Sequence, residues 1–277
     1  MLTWFYVILW LFLTKTNALK RYALYLIMIY FASDLHLGAP NYEKSRQREA
    51  LFINWLNDIR PHVTELYIVG DLFDFWFEYK QVVPKGYVRL LGKLAEWTDQ
   101  GIPIHFFTGN HDLWTKDYLS QEIGLQVHRN PITVQYNGKT LLIGHGDGLG
   151  PNDIGYKLMK RYLFLNPICQ YLLHALHPDI GVGIANFFSR RSRLVNGDAD
   201  LIFKGNDQEW LVQYALRKLE TQAIDYFIFG HRHLPLSIPL NEKSTYINLG
   251  DWIQYHSYAT FDGQTVQLCY YLNENKP

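Results

Sequence analysis

The stretch "DYFIFGHRHLP" (Asp225 to Pro235) drives an apolar run straight into two histidines that flank one arginine. The run has the length and the aromatic and β-branched content of a buried strand, and Gly230 marks its end. Four other runs end in the same kind of text: "SDLHLG" (33–38), "GDLFD" (70–74), "GNHD" (109–112) and "GHGD" (144–147). Each places Asp, Asn or His where a strand gives way to a loop. Taken singly, such dipeptides are ordinary turns. Ligands in layered α/β proteins bind in the loops beyond the carboxyl ends of strands, and five such endings in one chain select that reading.

In extended backbone, residues i and i+2 point to the same side, so His231 and His233 are expected to converge while Arg232 points away. Asp34 and His36 repeat that spacing. Two such pairs together with Asp71, Asn110 and His145 offer oxygen and nitrogen ligands in a number too large for one tetrahedral ion and suited to two ions sharing a bridge. Two divalent cations about 4 Å apart repel by roughly 17 kcal/mol at an effective dielectric of about 20, so the bridge must be anionic. Asp71 is the candidate bridge. Such a centre attracts phosphate and makes a nucleophile available from water near neutral pH. Oxygen and nitrogen ligands without thiolate fit two divalent ions of manganese, iron or zinc, and ligand type alone does not choose among them.

The rest of the chain alternates short β-branched or aromatic runs with longer amphipathic segments, the signature of α/β layering. Strands are expected at 28–33, 65–70, 104–109 and 224–230, with helices at 48–59, 87–100 and 206–220. Residues 132–145 read as a hairpin turning at Asn137-Gly138. The tail, "STYINLG" and "YATFDGQTVQLCYY", reads as antiparallel strands joined at Asp262-Gly263. Between Asn152 and Leu194 no strand is evident, and a helical insertion (cap) is expected over about 152–204.

The chain has 277 residues, 48% hydrophobic, enough for one large core. Lys plus Arg and Asp plus Glu are both 26, so no chain-wide basic field favours nucleic acid. Two cysteines indicate neither a disulfide framework nor a Cys-rich zinc site. Within the N-terminal extension 1–27 the apolar run "LTWFYVILWLFL" (2–13) is too short to span a bilayer comfortably, lacks a basic leader and is followed by "TKTNALKRY" (14–22), a poor small-residue cleavage site. Met28 opens a complete strand and loop, so an over-extended start is expected before a domain of 28–277, with a membrane-associating segment as the alternative.

The set D-x-H, GD, GNHD, GH and GHxH, in that order, resembles the calcineurin-like metallophosphoesterases over nearly all of the chain after residue 28. The resemblance implies a four-layer α/β/β/α sandwich. It also implies one metal on Asp34, His36, Asp71 and His233, and a second on Asp71, Asn110, His145 and His231. His111 follows Asn110 directly; the matching histidine of the superfamily acts near the leaving group or reacting phosphate, and a purely structural histidine is the alternative. Asp112 is expected to orient the His111 ring, and Asp74 and Asp147 either orient imidazoles or cap turns. Histidines 62, 105, 128, 174, 177 and 256 fit no ligand spacing.

Residues 155–194 carry six basic side chains (Lys157, Lys160, Arg161, Arg190, Arg191, Arg193) against one acidic group, Asp179, among many large apolar ones. Either this segment buries its apolar surface on the core, or it is a cap that accepts acyl chains and rests on an anionic membrane surface while its basic groups orient phosphates. "GHGDGLGPNDIGYKLMKR" (144–161), followed by a basic helical insertion, resembles the UDP-2,3-diacylglucosamine hydrolases of lipid A synthesis. That narrower resemblance implies cleavage of an acylated UDP-sugar to UMP and a lipid monophosphate, in the cytoplasm at the inner face of the inner membrane. It implies substrate contacts at Asn110, His111, Asp153, Tyr156 and His231, with Arg190, Ser192, Arg193 and Lys204 where further contacts fall. One departure is His111, where many members carry arginine. No nucleic acid and no obligate protein partner are expected. The alternatives are another phosphoesterase on the same scaffold and a non-catalytic binding module.

Overall fold

Successive side chains of a strand face opposite sides of a sheet, and here both sides of both sheets are covered. The computed structural model describes residues 27–150, 154–183, 203 and 205–272. Strands β1 (Ile29–Ala32), β2 (Glu65–Val69), β3 (Ile104–Phe107) and β4 (Gln126–His128) run parallel; β10 (Ser257–Phe261) and β11 (Val266–Tyr270) extend that sheet antiparallel, in the order β11-β10-β1-β2-β3-β4. The second sheet has the order β5-β6-β7-β9-β8, from β5 (Ile132–Tyr136), β6 (Lys139–Gly144), β7 (Tyr226–Phe229), β8 (Pro235–Pro239) and β9 (Thr245–Leu249).

The alternation within each strand assigns the layers. Ile29 and Phe31 of β1, with Tyr67 and Val69 of β2, meet Leu141, Ile143, Ile228 and Ile247 between the sheets. Tyr30, Ala32, Leu66 and Ile68 face outward against α1 (Tyr42–Ile59) and α2 (Val88–Asp99), which bury Phe52, Trp55, Leu94 and Trp97. On the far side, Leu142, Phe227 and Phe229 bury Leu211, Val212 and Ala215 of α6 (Trp210–Leu219). The result is the α/β/β/α stack, with β1, β2 and β3 parallel in one sheet and β6 and β7 parallel in the other. Parallel neighbours share a direction, so the five endings noted in the sequence emerge along one rim of each sheet.

The sequence reading of the elements needs three corrections. Helix α1 starts at Tyr42 rather than 48, capped by the Asn41 side chain, which accepts from Lys44 N at 3.0 Å. Its first two turns bury Ser45, Arg48 and Glu49, polar residues that interrupt the apolar period. Strand β9 does not join β10; it pairs parallel with β7 and antiparallel with β8. Strand β8 was hidden by Pro235 and Pro239, tolerated because it is the edge of its sheet. The hairpin at Asn137 (φ 48°) and Gly138 (φ 79°) has the two left-handed residues that a type I′ turn requires.

The short α3 (Tyr118–Gln121) follows the third ending. Beyond β6 the described residues 154–183 are helical: α4 (Ile154–Met159), a π-helical turn over Lys160–Phe164, and α5 (Pro167–Ala175). Much of their apolar surface faces outward, with Tyr162, Ile168, Tyr171 and Leu172 each at least 60% exposed.

Phe31 is fully buried between the sheets and stacks on Tyr67 with ring centroids 5.1 Å apart. Phe31→Ala is expected to cost about 3–5 kcal/mol, read as a lower urea midpoint with an unchanged denaturant slope.

Candidate metal centre

The strands do not continue as extended chain into their endings. Asp34 (φ 56°), His36 (φ 43°), Asp71 (φ 51°), His231 (φ 70°) and His233 (φ 51°) all lie in the left-handed region. This overturns the extended-backbone reason for expecting His231 and His233 to meet at one point. The two left-handed residues send the two rings into different groups of side chains. Arg232 between them does face away, and its guanidinium makes two hydrogen bonds of 2.8 and 3.0 Å to the buried Glu209 carboxylate.

Left-handed conformation in a residue with a Cβ costs roughly 1–2 kcal/mol and persists where its surroundings over-determine it. Here the loops hold one another. Asp34 N donates to Gly70 O (3.1 Å), His36 N to Asp71 O (2.9 Å) and Gly230 N to His145 O (3.0 Å). Two carboxylates also fix neighbouring backbone: His231 N donates to Asp34 Oδ2 and His111 N to Asp71 Oδ1, both at 2.9 Å. The buried start of α1 completes the scaffold, with Arg48 donating to His36 O (2.9 Å) and to Ala39 O, and Ser45 Oγ accepting from Gly38 N (2.7 Å). Gly109 is required by close approach, because a Cβ there would run into the Asp71 carboxylate and amide.

Seven side chains expected from the sequence are brought to one place. Asp34, His36 and His233 form one group, with His36 Nε2 and His233 Nε2 at 3.7 and 3.6 Å from Asp34 Oδ1. Asp71, His145 and His231 form a second, with His145 Nε2 3.3 Å from Asp71 Oδ2 and also 3.3 Å from Asn110 Oδ1. Asp71 joins the groups, since its Oδ2 lies 3.6 Å from His36 Nε2.

These spacings fit cations better than they fit hydrogen bonds. Ligands about 2.1 Å from one ion and ~90–120° apart stand ~3.0–3.6 Å from each other. Asp34 Oδ1 and both His36 ring nitrogens are buried without a hydrogen-bond partner, a costly arrangement for a carboxylate oxygen unless a cation faces it. Burial alone would raise the Asp34 carboxyl, but His233 and His36 bring it down to about 2. Asp71 is likewise held well below the usual range, against its own burial, chiefly by His145. Burial pushes His111 and His231 down to about 4, so both rings are neutral at pH 7.

The backs of the rings set their tautomers. His145 Nδ1 lies 2.9 Å from Val69 O, which can only accept, and His233 Nδ1 lies 3.1 Å from the Asp251 carboxylate. Against its burial, the Asp71 carboxylate raises His145 to about 10, so Nε2 of that ring keeps its proton until a cation displaces it; a bound cation would meet Nε2 on each ring. Asp74 Oδ1 lies 3.6 Å from His36 Nδ1, while His111 Nδ1 donates to the Asp74 carbonyl at 2.9 Å. Asp112 does not orient the His111 ring as expected. It accepts from Gly109 N (2.6 Å) and Leu72 N (2.8 Å), because its side chain turns inward to tie two loops. Asp147 pairs with Lys160 at 2.5 Å. Asp251 escaped the sequence reading, although "NLGD" (248–251) is a sixth strand ending of the same kind. Asp153, Arg190, Ser192, Arg193, Lys204 and the Tyr156 side chain lie outside the described residues.

The pattern of the Calcineurin-like phosphoesterase family matches residues 27–235. The chain belongs to this family. It is 40% identical over 257 residues to a UDP-2,3-diacylglucosamine hydrolase of Porphyromonas gingivalis, covering 87% of this chain and 96% of that protein. A protein of the same name from Haemophilus influenzae is 31% identical, over 80% of this chain and 90% of that one. A solved archaeal phosphodiesterase superposes with a TM-score of 0.44 at 13% identity, over 88% of this chain and 99% of that one. The family implies divalent cations, and the two groups of side chains fit them.

Asp71→Asn is expected to lower bound metal to one ion or fewer per chain, by elemental analysis, and to abolish hydrolysis. Manganese at about 100 times its dissociation constant should stabilise the wild type by roughly 2.7 kcal/mol per site. Its melting temperature therefore rises on manganese addition, and that of the Asp34→Asn, Asp71→Asn variant does not.

Proposed function

We propose that the protein hydrolyses the pyrophosphate of UDP-2,3-diacylglucosamine to UMP and 2,3-diacylglucosamine 1-phosphate. The observation that carries the reading is a pair of candidate cation-binding groups linked by Asp71, whose Oδ2 lies 3.6 Å from His36 Nε2, set beside a helical segment whose large apolar side chains face outward. The 40% identity to a relative of that name supports the substrate. Asp34, His36, Asp71 and His233 would hold one cation and Asp71, Asn110, His145 and His231 the other, with manganese the first choice. When bound, the pair supplies Lewis acidity and acidified water.

The chain's own groups do the remaining work. Buried carboxylates on one side and neutral imidazoles on the other leave a centre of net positive charge once loaded, which draws the pyrophosphate in. His111 enters neutral, with Nδ1 donating to Asp74 O, so Nε2 is its unprotonated nitrogen and would accept a proton at the reacting phosphate. Asn110 and His231 stand next to His111 and Asp71 and complete the polar wall for the substrate phosphates, with Asp153, Tyr156, Arg190, Ser192, Arg193 and Lys204 assigned to the sugar and phosphate on sequence grounds.

The exposed apolar side chains of 154–183 take the acyl chains, each buried methylene contributing roughly 0.8 kcal/mol against about 0–1 for an exposed ion pair. Two of the basic groups in that segment serve the chain itself: Lys157 donates to Gly150 O and Lys160 to Asp147. Fewer cations are therefore available for phosphates than the sequence count suggests. Among the described residues no helix is long and apolar enough to cross a membrane. The same apolar face supports peripheral attachment to the anionic cytoplasmic surface of an inner membrane, where such a substrate resides.

Manganese-loaded protein given UDP-2,3-diacylglucosamine should yield UMP and the acylated sugar 1-phosphate by mass; UDP as the nucleotide product, or no turnover, overturns the reading. His111→Ala should lower turnover by about 10²–10⁴-fold with metal content intact. Leu163→Ser with Ile168→Ser, both exposed at rest, should raise KM for the acylated substrate roughly tenfold or more. A small aryl phosphodiester should be unaffected by that pair.

A further inference from the structure

The helical insertion meets the loops of the centre at its π-helical turn. Leu165 N donates to Lys160 O at 2.8 Å, an i+5 bond that widens the turn by one residue. Such turns are less favourable than α-helix and recur at functional positions. Both ends of this one are tied down. At its start, Lys160 Nζ lies 2.5 Å from Asp147 Oδ2, on a carboxylate that is 6% exposed and two residues beyond His145. At its end, Phe164 O accepts from Trp114 Nε1 at 2.7 Å, three residues beyond His111.

Local sequence explains why that carbonyl is available. In a continuing α-helix, Phe164 O would accept from the amide of residue 168. Here Pro167 has no N–H to offer, and Ile168 N is claimed by the Asn166 side chain at 2.8 Å, which caps α5. Phe164 O is left to Trp114 Nε1 and to Gln170 Nε2 at 2.9 Å. The Trp114 ring is in turn held edge-on by Phe164, Phe77 and Phe75, at centroid distances of 5.7, 5.3 and 6.0 Å. Phe75 and Phe77 follow directly on the Asp71 loop.

We propose that Lys160 and Trp114 are positioning residues: they pin the two ends of the π-turn to the loops carrying His145 and His111. In this way they set where the insertion presents the lipid part of the substrate relative to the cation pair. The proposal rests on the acylated-substrate reading above. Neither side chain needs to touch the phosphates; each acts through the backbone of the insertion.

Three variants test this in the full, manganese-loaded chain. Trp114→Phe keeps the ring contacts and removes the N–H, Lys160→Met keeps the stem and removes the charge, and Lys160→Arg restores the charge. Amide hydrogen exchange over 154–175 should accelerate about 5- to 10-fold in Trp114→Phe and Lys160→Met, with the strand amides unchanged. KM for UDP-2,3-diacylglucosamine should rise by a similar factor, while kcat/KM for bis(4-nitrophenyl) phosphate stays within about twofold. Lys160→Arg should recover most of both losses. Unchanged exchange overturns the tether. Faster exchange with unaltered KM, or equal losses on both substrates, overturns its part in substrate delivery. A wild type inactive on the acylated nucleotide but active on the small diester removes the functional reading above, and exchange still decides the tether.

Discussion

Two carboxylates, Asp34 and Asp71, lie out of contact with bulk water and within 3.3–3.7 Å of the imidazoles of His36, His145 and His233. Buried negative charge of this density requires positive charge between the oxygens, supplied by protonated imidazole or by metal. The rest of the architecture serves that requirement. Parallel strands within each sheet place their endings on a common rim, and the two sheets, packed face to face through Phe31, Tyr67, Ile143 and Ile228, bring the two rims together. A different strand order would leave the same residues on opposite edges.

Convergence of elements is coarse, and the left-handed residues supply the fine adjustment. Five strained positions at roughly 1–2 kcal/mol each approach the whole net stability of a domain, so they must be compensated locally. The compensation is mutual: the Asp34 loop donates to the Asp71 loop, the Asp71 side chain holds the Asn110–His111 backbone, and the Asp34 side chain holds the His231 backbone. Each carboxylate thus turns one oxygen to the scaffold and keeps the other for the centre. Removing either carboxylate loosens a neighbouring loop as well as deleting a ligand, which is why amide variants, which keep an acceptor oxygen, are the informative ones.

The residues of the centre were legible in the sequence because chemistry restricts residue types there, and the Gly-Asp, Gly-Asn and Gly-His endings stand out against apolar strands. Their directions were not. The left-handed turns at Asp34, Asp71 and His231 depend on hydrogen bonds between loops some 35 to 200 residues apart, which no local pattern encodes. The same holds for Asp112, whose carboxylate ties Gly109 to Leu72 instead of the adjacent histidine ring. Arg48 was masked for the opposite reason: it is a buried cation in a helix read for its apolar face. Strand β8 was lost to its two prolines, and Asp251 to a reading that stopped at five endings.

The insertion obeys different physics from the centre it adjoins. Helices α1, α2 and α6 bury their apolar faces, whereas Tyr162, Ile168, Tyr171 and Leu172 leave most of theirs in water. Full burial of one such side chain is worth about 1.5–3 kcal/mol, so four of them outweigh the hydrogen bond of Trp114 and the ion pair of Lys160, at about 1–3 kcal/mol each. A lipid or a bilayer covering that face would therefore dominate the energetics of the insertion once bound. Before binding, the two polar tethers have no such competitor, and they set its direction. On the proposed function, apolar surface would thus provide affinity and the tethers register, a division that would let one centre handle a charged pyrophosphate while the greasy part of the same molecule is held some distance away.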